Sequence, residues 1–290
     1  MRRVVSASKR TDIPAFYLRW FAERVAEGFV DVRNPLYRHL TTRVSLRPDD
    51  VAWIVFWSRS YGALPRFAAR FAAYQLYFQF TINPPDPWLE AHVPPTAAAL
   101  RQAEWLAARY GGERIAWRYD PIACWRRDGR VETNDDPQFF ARVCAELAAL
   151  GVRRCFTSFA DHYTKVQRRL AQLDPAAAWI DPPTAEKRAR AAELAAIAAA
   201  HGVALLACCE PGIEDVPGVA PGACIDGALL GALGGEGVST ARSSDAQVPG
   251  RAACRCTRAV DVGDYERQPC GYGCLYCYAR QRHDVARRRR

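Results

Sequence analysis

Short apolar runs alternate with longer amphipathic stretches over the first two thirds of the chain. The short runs are rich in β-branched and aromatic residues, which favour strands, whereas the longer stretches repeat their apolar positions with a helical period. The six predicted strands are residues 4–8, 51–57, 75–82, 114–119, 154–159 and 203–208. The predicted helices between them are residues 16–28, 64–74, 96–110, 136–150 and 185–201. Such alternation is typical of parallel βαβ units joined by right-handed crossovers.

This pattern predicts an α/β fold built on a full or partial parallel (β/α) TIM-like barrel over residues 1–210. No Gly-x-Gly-x-x-Gly motif follows the first strand, which argues against a dinucleotide-binding fold. From residue 211 onward the composition shifts to Gly, Ala, Ser and Pro, and then to Cys. We interpret residues 211–290 as a Cys-rich, cluster-bearing extension packed on the barrel, not as an independent domain.

Composition limits the class of protein. Half of the 290 residues are hydrophobic, which is enough for one large core. No run approaches the ~20 apolar residues of a membrane helix, and the first residues lack the apolar segment of a signal peptide. We therefore expect a cytoplasmic protein without a membrane partner. The eleven cysteines are odd in number and crowd toward the C-terminus, which favours metal binding over a disulfide framework.

Polar side chains follow all six predicted strands. Because active sites of α/β barrels form where the carboxyl ends of the strands meet, we expect these side chains to line one polar mouth. Taken singly, some have structural alternatives, since Asp12 could cap the first helix and Arg118 could pair with Asp120. The candidates in chain order are Ser8, Arg10, Thr11, Asp12, Trp57, Ser58, Arg59, Thr81, Asn83, Arg118, Asp120, Ser158, Asp161, Cys208, Cys209 and Glu210.

Three cysteines near the C-terminus, Cys270, Cys274 and Cys277, have a C-x3-C-x2-C spacing. Three thiolates can hold a 4Fe–4S cluster while one of its irons stays open to a small molecule, whereas closed clusters have four. Gly271 and Gly273 allow the backbone to wrap tightly around such a cluster. A structural zinc site, completed by an upstream cysteine, is the alternative.

A second group of cysteines precedes the loop. One of Cys208 and Cys209, together with Cys224, Cys254 and Cys256, makes a four-thiolate set. Such a set suits a closed second 4Fe–4S cluster used for electron relay or structure. One structural zinc ion with the same four ligands is the alternative.

The Cys-x3-Cys-x2-Cys loop, with Tyr276 before its last cysteine and Tyr-Ala-Arg after it, resembles the cluster loop of the radical S-adenosylmethionine (SAM) superfamily, particularly its spore photoproduct lyase-like branch. The whole chain is also similar to a domain-of-unknown-function family of radical-SAM-like proteins. The matching motifs are Ser-Ala-Ser-Lys-Arg-Thr-Asp-Ile-Pro-Ala-Phe-Tyr at 6–17, Phe-Trp-Ser-Arg at 56–59, Arg-Tyr-Asp-Pro-Ile at 118–122, Cys-Arg-Cys at 254–256, Asp-Val-Gly-Asp-Tyr at 261–265, and the loop at 270–279.

The resemblance implies a circularly permuted radical-SAM-like barrel, in which the segment just before Cys270 supplies the usual first strand. It also implies an open 4Fe–4S cluster, bound SAM, and a reductant such as ferredoxin or flavodoxin. The cluster would reduce SAM to a 5′-deoxyadenosyl radical that acts on an unknown substrate. The candidates to bind carboxylate or anionic groups are Arg10, Arg59 and Arg118, and those for amine or ribose contacts are Asp12, Asp120 and Glu210. The remaining cofactor-binding candidates are Ser8, Thr11, Trp57, Ser58, Thr81, Asn83 and Tyr276.

Two other functions compete with this reading. The first is a non-catalytic iron–sulfur or zinc protein that transfers electrons or binds a partner. The second is a radical SAM enzyme that acts on nucleic acid. It is suggested by the spore photoproduct lyase-like motifs and by the basic character of the chain, which has a formal net charge of +9 and four arginines at 287–290.

Overall fold

A computed structural model describes residues 2–35, 37, 39–243 and 252–282, so the arginine run 287–290 lies outside the described residues. The strands are β1 (Arg3–Ala7), β2 (Phe29–Arg33), β3 (Thr41–Ser45), β4 (Val51–Ser58), β5 (Gln75–Thr81), β6 (Ile115–Ile122), β7 (Cys124–Arg127), β8 (Arg130–Thr133), β9 (Arg154–Phe159), β10 (Ala178–Ile180), β11 (Ala204–Ala207), β12 (Val219–Pro221) and β13 (Val260–Asp261). The helices are α1 (Ile13–Phe16), α2 (Leu18–Glu27), α3 (Leu64–Phe67), α4 (Thr96–Tyr110), α5 (Pro137–Ala149), α6 (Thr164–Leu173), α7 (Thr184–Ala200) and α8 (Gly227–Ala232), with 3₁₀ turns at Ala68–Phe71 and Gly112–Arg114.

A large sheet of eight strands forms the centre of this mixed α/β fold. Its strand order is β12-β11-β9-β6-β5-β4-β1-β13, and every neighbouring pair is parallel. The six predicted strands are therefore confirmed as β1, β4, β5, β6, β9 and β11, in sequential order. Closure of this sheet into a full or partial barrel stays a prediction.

The two edge strands come from the segment that follows the predicted barrel. β12 pairs with β11, and β13 pairs with β1 through Val5 opposite Val260 and Ser6 opposite Asp261. Both strands are very short, which is why the apolar pattern did not reveal them as separate elements. β13 lies just before the Cys270 loop, at the place where the resemblance expects a strand beside β1. The radical-SAM-like permutation itself stays a prediction.

Side chains of β4 alternate between two apolar clusters, as expected of a strand buried on both faces. Ile54 and Phe56 belong to the larger cluster, which includes residues of helices α2, α4, α5 and α7. Trp53 and Val55 belong to a second cluster, which contains Ile225 and also Leu230 of α8. The segment after residue 210 thus covers one face of the sheet and helices cover the other.

The helices predicted at 96–110, 136–150 and 185–201 are confirmed with small changes at their ends. The helix predicted at 64–74 is only α3 followed by a 3₁₀ turn, and the first helix is broken into α1 and α2. Gly28 ends α2 with a φ of 80°, the left-handed conformation that favours glycine. The β2–β3 hairpin, the small β10-β7-β8 sheet and α6 were not predicted. In the described part of the chain, no helix combines the length and apolarity required to cross a membrane.

Candidate functional site

A cavity of about 300 Å³ lies at the carboxyl ends of the central strands, closed on one side by the C-terminal cysteine loop. Most residues that sequence reasoning selected line it, so the strand ends and both cysteine groups share one space. The predicted residues in its wall are Ser8, Thr11, Asp12, Trp57, Ser58, Arg59, Thr81, Arg118, Asp120, Ser158, Asp161, Cys208, Cys209, Glu210, Cys224, Cys254, Cys256, Cys270, Cys274, Tyr276 and Cys277.

Arg10 and Asn83 are not among the lining residues, and each has a structural partner. The Arg10 guanidinium donates to the carbonyl of Gly263 at 3.0 Å. Asn83 holds the backbone of Asp120, because its Oδ1 accepts from the Asp120 N–H at 3.0 Å and its Nδ2 donates to the Asp120 carbonyl at 3.3 Å. These contacts give both residues a role in shaping the cavity wall from behind.

Asp261 of β13 fixes the end of β1. Its carboxylate accepts hydrogen bonds from the Ser6 hydroxyl at 2.8 Å, the Ser8 hydroxyl at 2.6 Å and the backbone N–H of Lys9 at 2.7 Å. A side chain at Gly263 would collide with the Ser8 hydroxyl, so only glycine fits beside this contact. The Asp-Val-Gly motif was noted in the sequence, but its role in joining two strand ends was not predicted.

Asp12 joins the ends of β1 and β4. It caps α1 by accepting the Ala15 N–H at 2.9 Å, as the structural alternative proposed. It also accepts the Ser58 hydroxyl at 2.7 Å and the Arg59 N–H at 2.9 Å. Burial raises the pKa of Asp12 to about 6, although these donors act in the opposite direction. The buried Asp12 carboxylate therefore accepts hydrogen bonds from both strand ends and from α1, and it changes its charge near pH 6.

Arg59 belongs to a buried network with Glu90 and Tyr276. Its guanidinium donates two parallel hydrogen bonds to the Glu90 carboxylate, at 2.7 and 2.5 Å, and a third to the Tyr276 hydroxyl. The Tyr276 hydroxyl donates in turn to Glu90. Because Tyr276 lies inside the cysteine loop, this network ties the loop to the end of β4. Glu90 was not predicted, since nothing in its local sequence marks it as a partner of Arg59.

Arg118 is fully engaged with other groups. Its Nε and Nη2 donate to Asp120 at 3.1 and 2.5 Å, and Nη1 donates to Gln79 at 3.3 Å. The two remaining N–H groups donate to sulfur, at 3.1 Å to Cys224 and 3.4 Å to Cys208. All five donors of the guanidinium are therefore in use. The predicted ion pair with Asp120 exists, but no donor is left for a carboxylate of a ligand.

The loop of Cys270, Cys274 and Cys277 is held by Arg169 of α6. The guanidinium of Arg169 donates to the carbonyls of Cys274, Leu275 and Cys277 at 3.1, 3.0 and 2.6 Å, and to the carbonyl of Ala279 at 3.3 Å. One side chain thus provides hydrogen bonds for four backbone carbonyls of a loop that has no regular secondary structure of its own. Arg169 was not predicted, because the sequence gave no helix over 164–173.

Glycines and burial shape the same loop. Gly273 has a φ of 72°, which a residue with a side chain adopts only at a cost. A Cβ at Gly271 would come within 2.7 Å of the Phe16 ring. Burial raises the pKa of the Cys270 thiol to about 12 and also raises that of Cys277. The thiolate forms therefore require a positive partner, which is what a bound metal centre supplies.

The upstream cysteines contact one another along the cavity wall. The sulfurs of Cys208 and Cys224 are 2.9 Å apart, and the Cys256 thiol is hydrogen-bonded to both Cys224 and Cys254. The hydrogen bond with Cys256 lowers the pKa of Cys254 to about 7. Cys209, which also lines the cavity, has a φ of 58°, a left-handed conformation that is uncommon for a residue with a side chain. Within the described ranges, no three His, Cys, Asp or Glu side chains are arranged to hold a single metal ion.

A family comparison adds one finding to this geometry. Residues 4–279 match a family model described as Domain of unknown function (DUF1848). The chain belongs to this family. Comparison with curated proteins gives no match.

Two hydroxyls in the wall of this DUF1848 cavity are buried without a hydrogen-bond partner among the described residues. They belong to Thr11 and Tyr272, each 5% exposed. The indole N–H of Trp57, also in the wall, has no acceptor there either. Buried polar atoms usually have partners, so these three mark positions where a bound group would satisfy them. Tyr272 was missed by the sequence reasoning, although it lies between two of the predicted ligands.

Proposed function

We propose that this chain is an iron–sulfur protein, and specifically a radical SAM enzyme that acts on an unknown substrate. Cys270, Cys274 and Cys277 would hold a 4Fe–4S cluster with one open iron. When bound, that cluster supplies one electron for reductive cleavage of SAM to a 5′-deoxyadenosyl radical. The electron would come from a protein such as ferredoxin or flavodoxin.

One observation carries the proposal. The three loop thiols line the same cavity as the polar residues at the ends of β1, β4, β5, β6, β9 and β11. A cluster with an open iron has a use only where a ligand can reach it, and this cavity of about 300 Å³ provides such access. The buried, partnerless hydroxyls of Thr11 and Tyr272 supply polar contacts within the same wall.

The residues around the loop also fit a bound cluster. The positive φ of Gly273 lets the backbone turn between the ligands, and Arg169 holds the carbonyls that the turn leaves unpaired. Cys270 and Cys274 are 8% and 5% exposed, so the protein excludes water from two of the three thiols. Such exclusion is what radical chemistry requires of a protein, because it prevents side reactions.

The geometry changes the roles proposed for the arginines. Arg59 is bound by Glu90 and Tyr276, and Arg118 by Asp120, Gln79 and two sulfurs. Both guanidiniums therefore position the wall and the loop in this proposal. We assign the contacts with SAM or the substrate instead to the hydroxyls of Thr11 and Tyr272 and to the partly buried carboxylate of Glu210. Burial raises the pKa of Glu210.

Anaerobic reconstitution tests the proposal. The purified chain is loaded with iron and sulfide, reduced with dithionite and mixed with SAM, and 5′-deoxyadenosine is measured by chromatography. We expect 5′-deoxyadenosine from the wild type and none from Cys274→Ala. Cys124→Ser, a cysteine that does not line the cavity, is the matched control and should retain the activity.

The competing functions give different results. Zinc in place of iron after anaerobic purification would favour a structural or partner-binding protein. A reduced cluster whose EPR spectrum ignores SAM would favour electron transfer without SAM chemistry. For the nucleic-acid alternative, specific binding should weaken steeply as salt rises and should survive deletion of residues 287–290.

A further inference from the structure

Two cysteines from separate segments have their sulfurs in direct contact on the cavity wall. Cys208 follows β11 and Cys224 lies between β12 and α8, and both are free thiols whose sulfurs are 2.9 Å apart. A disulfide bond is about 2.05 Å long, so a movement of about 1 Å would join them. Four thiolates around one zinc ion, each about 2.3 Å from the metal, are farther apart, at about 3.8 Å. The spacing of this pair therefore favours a bond between the two sulfurs.

The backbone of each cysteine is fixed by a partner in the central sheet. The Cys208 N–H donates to the carbonyl of Thr157 at 2.9 Å. The Cys224 carbonyl accepts from the side-chain amide of Gln79 at 2.6 Å. Because folding already holds both residues in place, bond formation between the sulfurs costs little further loss of chain freedom.

Gly222 explains how the second segment comes so close to the first. Its N–H donates to the carbonyl of Ala207, at the end of β11, at 2.8 Å. A Cβ at this position would lie 2.8 Å from the Phe156 ring and 2.9 Å from the same carbonyl, so only glycine permits this approach. The close approach brings Cys224, two residues later, beside Cys208.

Arg118 adds a second, independent observation. It donates one N–H to the Cys224 sulfur at 3.1 Å and another to the Cys208 sulfur at 3.4 Å. Asp120 and Gln79 occupy its other donors and fix the guanidinium in this orientation. In thiol–disulfide exchange, the attacking and the leaving sulfur both carry negative charge. A guanidinium that contacts both sulfurs stabilises that charge on either of them.

We propose that Cys208 and Cys224 form a redox-active dithiol in the cavity wall, which a low-molecular-weight disulfide oxidises. The sulfur of the half-buried Cys208 attacks the reagent, forms a mixed disulfide and releases one thiol. The sulfur of Cys224, which is only 7% exposed, then attacks Cys208, forms the internal disulfide and releases the second thiol. The two cysteines thus lose two electrons and two protons, and the reagent takes up both. No step involves the loop of Cys270, Cys274 and Cys277.

Mapping of the cross-link tests the proposal. The folded wild-type chain is incubated anaerobically with oxidised glutathione, its remaining thiols are alkylated, and it is digested after glutamate, because Glu210 and Glu214 lie between the two cysteines. We expect the two peptides to be joined, at a mass about 2 Da below their sum, and to separate on reduction. A cross-link from Cys224 to another cysteine, or none, would overturn the proposal.

Variants identify the sulfurs. Cys208→Ser should abolish the cross-link, whereas Cys209→Ser, the same change one residue away, should keep it, and the reverse result would overturn the assignment. Cys224→Ser should instead accumulate the glutathione adduct on Cys208, because no second sulfur displaces it. An unmodified Cys208 in that variant would contradict the proposed order of steps.

A loop variant separates this inference from the proposed function. In Cys270→Ala/Cys274→Ala/Cys277→Ala the cross-link should form as in the wild type, whatever the wild type does with SAM. The closed second cluster suggested by the cysteine count needs both sulfurs as separate ligands. If this variant retained about four irons and four sulfides per chain after reconstitution, a cluster would hold these cysteines and the dithiol assignment would be wrong.

Discussion

The buried pair of Arg59 and Glu90 offers the sharpest test of how the cysteine loop is held. We consider Glu90→Gln, which keeps the shape of the side chain and removes its charge. The side chains of Arg59 and Glu90 are only 9% and 2% exposed. The variant therefore leaves a guanidinium buried without a countercharge, and it replaces one of the two oxygens that accept from Arg59 and Tyr276 by an NH2 donor.

Breaking a buried ion pair by removing one partner costs about 3–5 kcal/mol of stability, most of it from the charge left behind. The bidentate geometry and the third contact with Tyr276 place this pair at the upper end. Arg59→Met/Glu90→Leu/Tyr276→Phe removes these three polar side chains together, and the Asn83 amide keeps its hydrogen bond to the Asp120 carbonyl. Because replacing a complete buried pair by apolar side chains is often close to neutral, this triple variant should recover most of the loss.

The assay is equilibrium unfolding in guanidinium chloride, performed anaerobically on the metal-free chain and followed by circular dichroism and tryptophan fluorescence. The matched control is Asp31→Asn. Asp31 also receives two hydrogen bonds from an arginine, Arg43, at 2.8 and 2.9 Å, but that pair is exposed on the β2–β3 hairpin. Its loss should be much smaller. Equal losses at Glu90 and Asp31, or a triple variant no better than Glu90→Gln, would refute the reasoning.

Three further variants probe the cavity wall at Asp12 and the support of the cysteine loop at Gly273 and Arg169. Burial raises the pKa of Asp12 from 3.8 to about 6, so the folded state binds this proton more tightly than the unfolded state. As pH rises from about 3 to 7, the free energy of unfolding of the wild type should therefore fall by about 3 kcal/mol relative to that of Asp12→Asn, as measured by unfolding at each pH. Gly273→Ala should cost about 1–2 kcal/mol for its positive φ. Gly212→Ala should cost little, because its φ is not positive and the new Cβ would make only an ordinary contact with Thr184 at 3.9 Å. Arg169→Met should speed the loss of iron to a chelator, because four carbonyl contacts disappear; the exposed neighbour Arg168→Met should not.

The central strands could be predicted because their physical signal is local. β4, for example, is a continuous apolar run, and a strand with both faces covered needs no other information to be recognised. The edge strands could not be predicted as elements, since β12 has three residues and β13 only two. α6 was missed because its low overall hydrophobicity hides the two residues, Val166 and Leu170, that it buries.

The candidate site divides in the same way. The cysteine spacing and the polar strand ends are readable in the sequence because each lies within a few residues. Glu90 and Arg169 are not, because their partners in the loop lie 186 and 105 to 110 residues away. No local pattern identifies a contact across such a separation, and only the folded chain shows which buried acid pairs with Arg59. The same limit explains why Arg118 was interpreted as an anion-binding residue.

The pairing of β13 with β1 explains how the cysteine loop, which lies near the C-terminus, reaches the cavity. β13 pairs with β1, so the loop that follows β13 begins beside the end of β1, next to the ends of the other central strands. Asp261 secures this arrangement by binding Ser6 and Ser8 across the two strands. The Tyr278 hydroxyl adds a further bond to the carbonyl of Lys9 at 2.7 Å. A C-terminal loop therefore occupies an ordinary strand-end position, and the sheet, not the order of the chain, brings its three thiols to the cavity.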